Sequence, residues 1–199
     1  MNLKHSYALI APFYDAFLTA TTHAVRGRSL AALSGQPPGD VLIAGIGTGL
    51  DIPHLPPQHR YVGIDLTRAM LAKARRRAIG LPVRLVQGDV HRLPFAGERF
   101  DAVVLHLILA VVPDPKACLA EAARVLRPGG CIFVFDKFLK PGERALWKRA
   151  LNPLTRRFAT RLDVVFEEVL AATPDLTRHH DEPAMADGWF RLIQLGKRA

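Results

Sequence analysis

Short apolar runs alternate with amphipathic segments along the middle of the chain. Five such runs, the first of which ends at a glycine, are predicted as buried strands. They are Val41–Ala44, Tyr61–Ile64, Val83–Val86, Asp101–Leu105 and Cys131–Phe135. Between them, Thr67–Ala78 and Lys116–Leu126 are predicted as helices, and Pro115 suits the first turn of the second one. This alternation predicts a mostly parallel sheet with helices on both faces.

The two ends of the chain depart from this alternation. Residues 1–35 have a helical, partly apolar pattern and are predicted to form one or two helices packed on or over the sheet. Residues 141–172 predict further helix, interrupted by a proline. Leu176–His180 and Trp189–Leu195 are predicted as two closing strands, joined by a loop that contains Pro183.

The composition predicts one globular domain. The chain has 199 residues, 49% of them hydrophobic and 23% charged, which excludes a wholly disordered protein. Its longest apolar stretch, Ala102–Val112, is shorter than the roughly 18 residues that span a bilayer, so we expect no transmembrane helix. We expect no secretory signal either, because the first residues lack an apolar core. Cys118 and Cys131 predict buried, reduced thiols and no metal site.

The first predicted strand runs into a glycine-rich loop, with Gly45, Gly47 and Gly49 at alternate positions. Without Cβ atoms the loop can turn tightly and lie against a ligand, although a plain strand-to-helix turn would use the same residues. Doubly wound sheets bind ligands beyond the carboxyl ends of their strands, which is where this loop lies. The dinucleotide pattern G-x-G-x-x-G fails, because its last glycine position holds Leu50. The spacing therefore favours an adenosine with a shorter, zwitterionic tail.

Two carboxylates follow the next two strands. Asp65 comes at the end of the second strand, where a carboxylate can accept hydrogen bonds from both hydroxyls of a ribose. Asp89 comes after the third strand, where it could accept a bond from the amine of an adenine. Each aspartate alone could equally be a helix cap or a turn residue. Glycines and two acids at three consecutive strand ends together predict an adenosyl-binding site.

Four ordered motifs in residues 38–136 resemble those of class I S-adenosylmethionine-dependent methyltransferases. They are Val41–Gly49, Gly63–Leu71, Gly88–Phe95 and Arg124–Gly130. The resemblance implies an α/β fold, a Rossmann-like three-layer αβα sandwich. Its seven-stranded, mostly parallel sheet would have an antiparallel last strand.

The same resemblance implies S-adenosyl-L-methionine as the cofactor. The three loop glycines would lie against its methionine part, Asp65 would hold the ribose, and Asp89 would hold the adenine amine. Leu66 and Val90 would flank the base. Two residues before the first glycine, where the family usually has an acid, this chain has Ile43.

Further segments resemble the branch that includes quinone-ring C-methyltransferases and bacterial phospholipid N-methyltransferases. They are Tyr7, Ala11–Asp15, Leu93–Phe95, Arg156–Phe158 and Trp189–Ile193. The resemblance implies one domain in three parts: a helical lid at 1–37, a cofactor-binding core at 38–136, and acceptor-side helices and closing strands at 137–199. Tyr14, in the lid, is similar to a tyrosine that lines the cofactor or acceptor pocket, though helix packing would also explain it.

Methyl transfer from a sulfonium requires an acceptor held in line in a site that excludes water. An amine acceptor must also be neutral, so a general base could help. His106, directly after the fourth strand, is the best candidate, and its alternative roles are a pocket wall or a core histidine. Leu107–Val112 is more apolar than a surface loop, and it could line an acceptor pocket or pack in the core.

The chain is basic, with 27 Lys and Arg against 18 Asp and Glu and a formal net charge of +9. Lys137–Arg161 contains eight of the basic residues and only Glu143 as an acid. Apolar residues from Trp147 to Phe158 recur there at helical spacing, which predicts a basic amphipathic helix on an anionic membrane surface. In the alternative, this face packs on the sheet and the arginines are solvated.

The sequence therefore predicts a methyltransferase of a small or lipid-like acceptor, preferably a phosphatidylethanolamine-type amine. The alternatives are C- or O-methylation of a quinone or phenol, and a non-catalytic cofactor-binding module, for which Ile43 is the one hint. Nucleic acid is not expected as a partner. A methyltransferase of nucleic-acid base amines would have an Asn/Asp-Pro-Pro-Tyr/Phe motif after the fourth strand, and this chain has Leu105–Ile108 there. We expect a cytoplasmic protein, free or peripheral at the inner membrane face.

Overall fold

The computed structural model describes residues 22–139 and 163–198, which contain one seven-stranded sheet. The strands are β1 Asp40–Ala44, β2 Arg60–Asp65, β3 Val83–Gln87, β4 Phe100–His106, β5 Leu126–Lys137, β6 Leu176–Met185 and β7 Phe190–Lys197. Their order is β3-β2-β1-β4-β5-β7-β6. The first five strands pair in parallel, whereas β7 is antiparallel to both β5 and β6. The predicted seven-stranded sheet with an antiparallel last strand is confirmed.

Helices cover both faces of this sheet. They are α1 at 22–31, α2 at Arg68–Arg77, α3 at Pro115–Val125 and α4 at Phe166–Leu170. The predicted bounds of α2 and α3 are correct to within one residue at each end. The start of α3 has a clear local cause: Pro115 occupies its first turn, and the Asp114 carboxylate accepts the backbone N–H groups of Lys116 and Ala117, both at 3.0 Å.

The last third of the chain differs from the predicted pattern. Of the helix predicted over 141–172, residues 163–165 are not helical, and only Phe166–Leu170 forms a helix in the described part. β6 continues to Met185, so Pro183 lies in a strand whose register shifts there, and the predicted loop is wrong at this position. β6 is the edge strand of the sheet, and a proline is tolerated there because its missing N–H removes no central ladder bond.

Apolar side chains fill the layers on both sides of β1, which is buried along its whole length. Leu42 belongs to the cluster that includes α3, and Ile43 belongs to the cluster that includes α1. Ile43 packs in that second cluster with Leu30 and Val104, all of them at most 1% exposed. Burial of such a side chain stabilises a fold by about 1.5–3 kcal/mol. The position where the family usually has an acid is therefore part of the core.

Three predicted features lie outside the described residues. They are the N-terminal segments with Tyr7 and Tyr14, and the basic segment at 140–162 with its apolar face from Trp147 to Phe158. In the two described stretches, no helix is both long enough and apolar enough to cross a membrane. What the structure does place is the edge of the sheet formed by the carboxyl ends of β1 to β5, where the candidate site lies.

Candidate cofactor and acceptor site

The loop after β1 turns sharply across the carboxyl edge of the sheet. Gly45, Gly47 and Gly49 have positive φ angles of 74°, 56° and 84°. The Gly45 N–H donates to the Ile64 carbonyl at 2.9 Å, which ties the loop to β2. A Cβ atom on Gly45 would lie 2.5 Å from the Ile108 side chain. Both the backbone conformation and the available space therefore require glycine at this position.

Asp65, at the end of β2, lies directly against this loop. Its Oδ2 accepts a hydrogen bond from the Gly47 N–H at 3.0 Å, and its Oδ1 accepts bonds from the N–H and the hydroxyl of Thr67, both at 2.9 Å. Around Gly47 the space is open, since a Cβ there would come no closer than 3.9 Å to the Gly45 carbonyl oxygen. The neighbouring Leu66 is 64% exposed. Bare backbone, a carboxylate and an uncovered apolar side chain therefore lie together at this edge of the sheet.

Asp89 follows β3 at the same edge of the sheet. Its Oδ1 accepts the His91 backbone N–H at 2.9 Å and lies 2.7 Å from Nδ1 of the His91 ring. The backbone N–H of His91 lowers the pKa of the Asp89 carboxyl, because it stabilises the charged form. About half of the Asp89 side chain is exposed, whereas Val90 is buried in the core. Of the two residues predicted to flank a base, Leu66 is at the surface and Val90 is not.

His106, the predicted base, is buried at the end of β4. Its Nδ1 lies 2.7 Å from an Asp51 carboxylate oxygen, and its Nε2 lies 2.9 Å from the Ser29 hydroxyl. The same Asp51 oxygen accepts a bond from the Arg26 guanidinium at 2.7 Å, and Arg26 also donates to the Thr22 hydroxyl at 3.0 Å. Both ring nitrogens of His106 have partners inside the protein. This arrangement favours a positioning role over that of a free base.

These five residues, which we call the α1 cluster, join three segments that are distant in sequence. Burial opposes the charge of Asp51, but His106 and Arg26 outweigh it and hold the pKa of the carboxyl well below its usual range. Asp51 lies two residues after Gly49, so the cluster also anchors α1 to the glycine loop. Sequence reasoning missed Arg26 and Asp51, because their 25-residue separation does not indicate a contact.

A second buried carboxylate, Asp136, lies at the end of β5. Asp136 accepts the backbone N–H groups of Ala110 at 3.0 Å and Lys137 at 2.8 Å. Burial raises the pKa of its carboxyl to about 6 despite these bonds. Through Ala110, Asp136 holds the predicted pocket segment 107–112, in which three of the six residues are buried. Core packing therefore explains half of that apolar run, while Leu107 and Ile108 stay half-buried beside the site.

The structure thus brings most of the predicted site to one edge of the sheet. The loop glycines, Asp65 and Asp89 lie at the ends of β1, β2 and β3. His106 ends the adjacent strand β4, but it faces the α1 cluster. Tyr14 lies outside the described residues. Sequence reasoning also missed Asp136, which directly follows the fifth predicted strand as Asp65 follows the second.

The chain is similar to known methyltransferases. Residues 42–134 match the family model described as a methyltransferase domain. The phosphatidylethanolamine N-methyltransferase of Cereibacter sphaeroides is 33% identical over 190 residues, which cover 93% of each chain. The demethylmenaquinone methyltransferase of Mycobacterium sp. (strain KMS) is 38% identical over 159 residues, 74% of this chain and 67% of that protein.

Solved methyltransferase structures have a similar fold. The geranyl diphosphate C-methyltransferase of Streptomyces coelicolor was solved with Mg²⁺, geranyl diphosphate and S-adenosyl-L-homocysteine. It superposes with a TM-score of 0.71 at 18% identity, over 89% of this chain and 81% of that one.

The fold is that of a Rossmann-like α/β methyltransferase. The chain belongs to the S-adenosylmethionine-dependent methyltransferases, and its cofactor is S-adenosyl-L-methionine. Relatives named for a phospholipid amine and for a quinone both match it. Membership of the family therefore does not by itself select the methyl acceptor.

Proposed function

We propose that this enzyme transfers methyl groups from S-adenosyl-L-methionine to the amine of a phospholipid of the phosphatidylethanolamine type. The observation that carries the proposal is the likeness to a phosphatidylethanolamine N-methyltransferase over 93% of both chains. The likeness to the demethylmenaquinone methyltransferase is shorter, at 74% and 67% of the two chains. Both matches extend beyond the predicted core at 38–136, but the longer one includes more of the remaining chain, where acceptor specificity is expected to reside.

The geometry supports a separate role for each residue in binding the cofactor. We assign Asp65 to the ribose hydroxyls, Asp89 to the adenine amine, Leu66 to one face of the base, and the backbone of Gly45–Gly49 to the methionine part. The open space at Gly47 and the uncovered side chain of Leu66 support this assignment. Val90 and Tyr14 stay predictions.

The bound cofactor supplies a methyl group already activated on a sulfonium, so the protein's task is to position the acceptor and exclude water. Half-buried Leu107, Met185 and Phe190 pack on the apolar cluster that contains Phe135, beside the ends of β4 and β5. They offer an amphiphilic acceptor a water-poor surface. We infer that His106, with both ring nitrogens bonded, positions α1 instead of accepting the proton of the amine.

Calorimetric titration with S-adenosyl-L-homocysteine tests the cofactor assignment. Asp65→Ala is expected to weaken binding about 10- to 100-fold, because hydrogen bonds to a charged group contribute roughly 1.5–3 kcal/mol. Glu168→Ala, which removes an exposed carboxylate from α4, is the matched control and should bind like the wild type. Undiminished binding by Asp65→Ala would contradict the ribose assignment.

Turnover tests the acceptor. The enzyme is incubated with labelled S-adenosyl-L-methionine and either phosphatidylethanolamine or demethylmenaquinone in mixed micelles, and the methylated product is identified. N-methylated phospholipid is the expected product. Methylation of the quinone alone would replace the proposal with C-methylation, which the 38% identity to the quinone enzyme supports as the alternative. Cofactor binding without any turnover would favour a non-catalytic module.

The proposed membrane contact has a separate test. The basic segment Lys137–Arg161 was predicted to contact an anionic membrane surface, and most of it lies outside the described residues. Co-sedimentation of the protein with vesicles that contain phosphatidylglycerol is expected to exceed co-sedimentation with phosphatidylcholine vesicles, because basic segments are attracted to anionic lipid. Equal sedimentation would remove the membrane contact without affecting the acceptor proposal.

A further inference from the structure

Lys137 places a half-buried positive charge on the acceptor side of the site. It is the last residue of β5, where it pairs with Phe190 at the start of β7. Its ammonium lies 6.0 Å from the centre of the Trp189 ring. Burial lowers the pKa of this ammonium, against the attraction of the neighbouring Asp136. The environment of Lys137 therefore disfavours its charge.

In the part of the chain that the structure describes, no carboxylate lies within salt-bridge distance of this ammonium. Asp136 is adjacent in sequence, but its carboxylate accepts the backbone N–H groups of Ala110 and Lys137 itself. A lysine ammonium near the protein interior is usually hydrogen-bonded. Lys197 is an example, since its ammonium donates to the carbonyls of Ala123 and Leu126 at 2.9 and 2.8 Å. A half-buried cation that no described residue neutralises costs free energy, and an anionic ligand would remove that cost.

The turn before Trp189 holds the indole beside Lys137 in a strained backbone. Ala186 and Asp187 have φ angles of 50° and 52°, in the left-handed region that costs most L-residues roughly 1–2 kcal/mol. The Trp189 N–H donates to the Ala186 carbonyl at 3.0 Å, and the Trp189 carbonyl accepts the Phe138 N–H at 2.9 Å. Consecutive positive φ angles are typical of the tight turn that joins two antiparallel strands, and here the turn between β6 and β7 fixes the position of Trp189.

Lys137 also lies at a suitable distance from the cofactor loop. One strand, β4, separates β5 from β1. At about 4.8 Å between neighbouring strands, β1 and β5 lie roughly 10 Å apart, and the register puts Lys137 three residues beyond the level at which β1 ends. Half-buried Leu107 and Phe190 lie at the same strand ends. This layout suits an acceptor that carries an anionic group a few bonds from its methylated atom, followed by an apolar tail.

We propose that Lys137 and Trp189 form the subsite that binds the phosphodiester of the methyl acceptor. The ammonium donates to a phosphate oxygen and neutralises it, and the indole covers the adjoining carbon atoms. The inference rests on the proposed function, because a phosphatidylethanolamine carries this anion beside its amine. A quinone has no charge for Lys137 to bind, so the subsite selects phospholipids over neutral acceptors.

Equilibrium binding of dihexanoyl phosphatidylethanolamine tests the subsite without turnover. The full chain is used, loaded with S-adenosyl-L-homocysteine. Lys137→Gln is expected to weaken binding about 10- to 100-fold, as expected for the loss of a hydrogen bond between charged groups, and Lys137→Arg should retain most of the affinity. Lys116→Gln removes an exposed lysine from the first turn of α3 and is the matched control. Undiminished binding of the lipid by Lys137→Gln would overturn the subsite.

Steady-state kinetics adds a readout that a purely structural role would not change. With phosphatidylethanolamine in mixed micelles, Lys137→Gln should raise KM by the same factor while kcat changes less than about threefold. With an amine of equal chain length that lacks the phosphate, KM should be the same for the wild type and the variant. Equal increases of KM on both acceptors would overturn the subsite, because the effect would not depend on the phosphate.

Two further outcomes distinguish the phosphodiester subsite from the proposed function and from a membrane contact of Lys137. If the wild type methylates no amine at all, the proposed function fails, while the binding experiment still decides whether Lys137 recognises a phosphodiester. If Lys137→Gln abolishes co-sedimentation with anionic vesicles but binds the short lipid normally, Lys137 contacts the bilayer surface and the subsite is overturned. Glycerophosphoethanolamine has the phosphodiester but no acyl chains. It should compete with the short lipid for binding to the wild type, and it should no longer compete for binding to Lys137→Gln.

Discussion

The two halves of the carboxyl edge of the sheet are built in different ways. On the cofactor half, at the ends of β1 to β3, the site consists of bare backbone and short loops, and Asp65 contacts Gly47 across 18 residues of chain. On the proposed acceptor half, at the ends of β4 and β5 and the start of β7, distant segments meet, as His106 and Ser29 do across 77 residues. The proposed cofactor site can therefore form from local segments, whereas the proposed acceptor site depends on how the whole chain packs.

Removal of Asp51, at the boundary between the two halves, should have the largest effect. Asp51→Ala leaves the Arg26 guanidinium buried without its carboxylate, and the loss of one partner of a buried pair costs about 3–5 kcal/mol. Urea unfolding should show a loss of stability of this size. Titration with S-adenosyl-L-homocysteine should show weaker binding as well, because the α1 cluster anchors the glycine loop.

The control for this experiment is an exposed ion pair. Glu182→Gln, which disrupts the pair with Arg28 at the surface, should cost less than about 1 kcal/mol. If Asp51→Ala loses stability but binds the cofactor like the wild type, the two halves of the edge are independent and the anchoring role of the α1 cluster is wrong.

Asp136 should make the acceptor half sensitive to pH. Burial raises the pKa of its carboxyl from 3.8 to about 6, so the folded protein binds this proton more tightly than the unfolded chain does. The stabilising contribution of protonation is complete below about pH 4 and is lost as the pH rises through about 6. Asp136→Asn, which does not ionise, should therefore gain stability relative to the wild type as the pH rises, by roughly 2–3 kcal/mol in total.

The measurement is urea unfolding of both proteins at about pH 4.5 and about pH 7.5, on either side of the folded pKa. The difference in unfolding free energy between Asp136→Asn and the wild type should be larger at the higher pH. A difference that stays constant with pH would mean that Asp136 does not titrate in this range. Cys118→Ser is the control. Burial raises the pKa of the Cys118 thiol to about 12, so the difference in unfolding free energy between this variant and the wild type should not change between the two pH values.

Leu66→Ala should have the smallest effect, and it tests where the base of the cofactor lies. Leu66 is 64% exposed, so Leu66→Ala should change the unfolding free energy by less than about 0.5 kcal/mol. A base that covers this side chain would bury its apolar surface, so the affinity for S-adenosyl-L-homocysteine should fall about 3- to 10-fold. Ile79→Ala, at the opposite end of α2 and 81% exposed, is the control. Equal affinities of the two variants would place the base elsewhere.

The cofactor half could be predicted in detail because its residues follow directly from strands with a clear apolar pattern. The carboxyl ends of parallel strands share one edge, so the positions of Asp65 and Asp89 followed from those strands alone. The acceptor half could not be predicted in the same way. The sequence indicated that His106 lies at a strand end, but not that Ser29 and Asp51 bind both of its ring nitrogens. Nor did it indicate that β6 continues through Pro183.

By itself, the sequence determined the order of strands and helices, the turn at the glycine loop and the family to which the protein belongs. These features depend on apolar periodicity and on backbone conformations that only certain residues adopt, and both are local properties. Only the tertiary structure decided which charges form ion pairs: Asp51 has two partners, while among the described residues no carboxylate lies within salt-bridge distance of the Lys137 ammonium. A buried charge depends on the groups that approach it in space, and the spacing of residues along the chain does not contain that information.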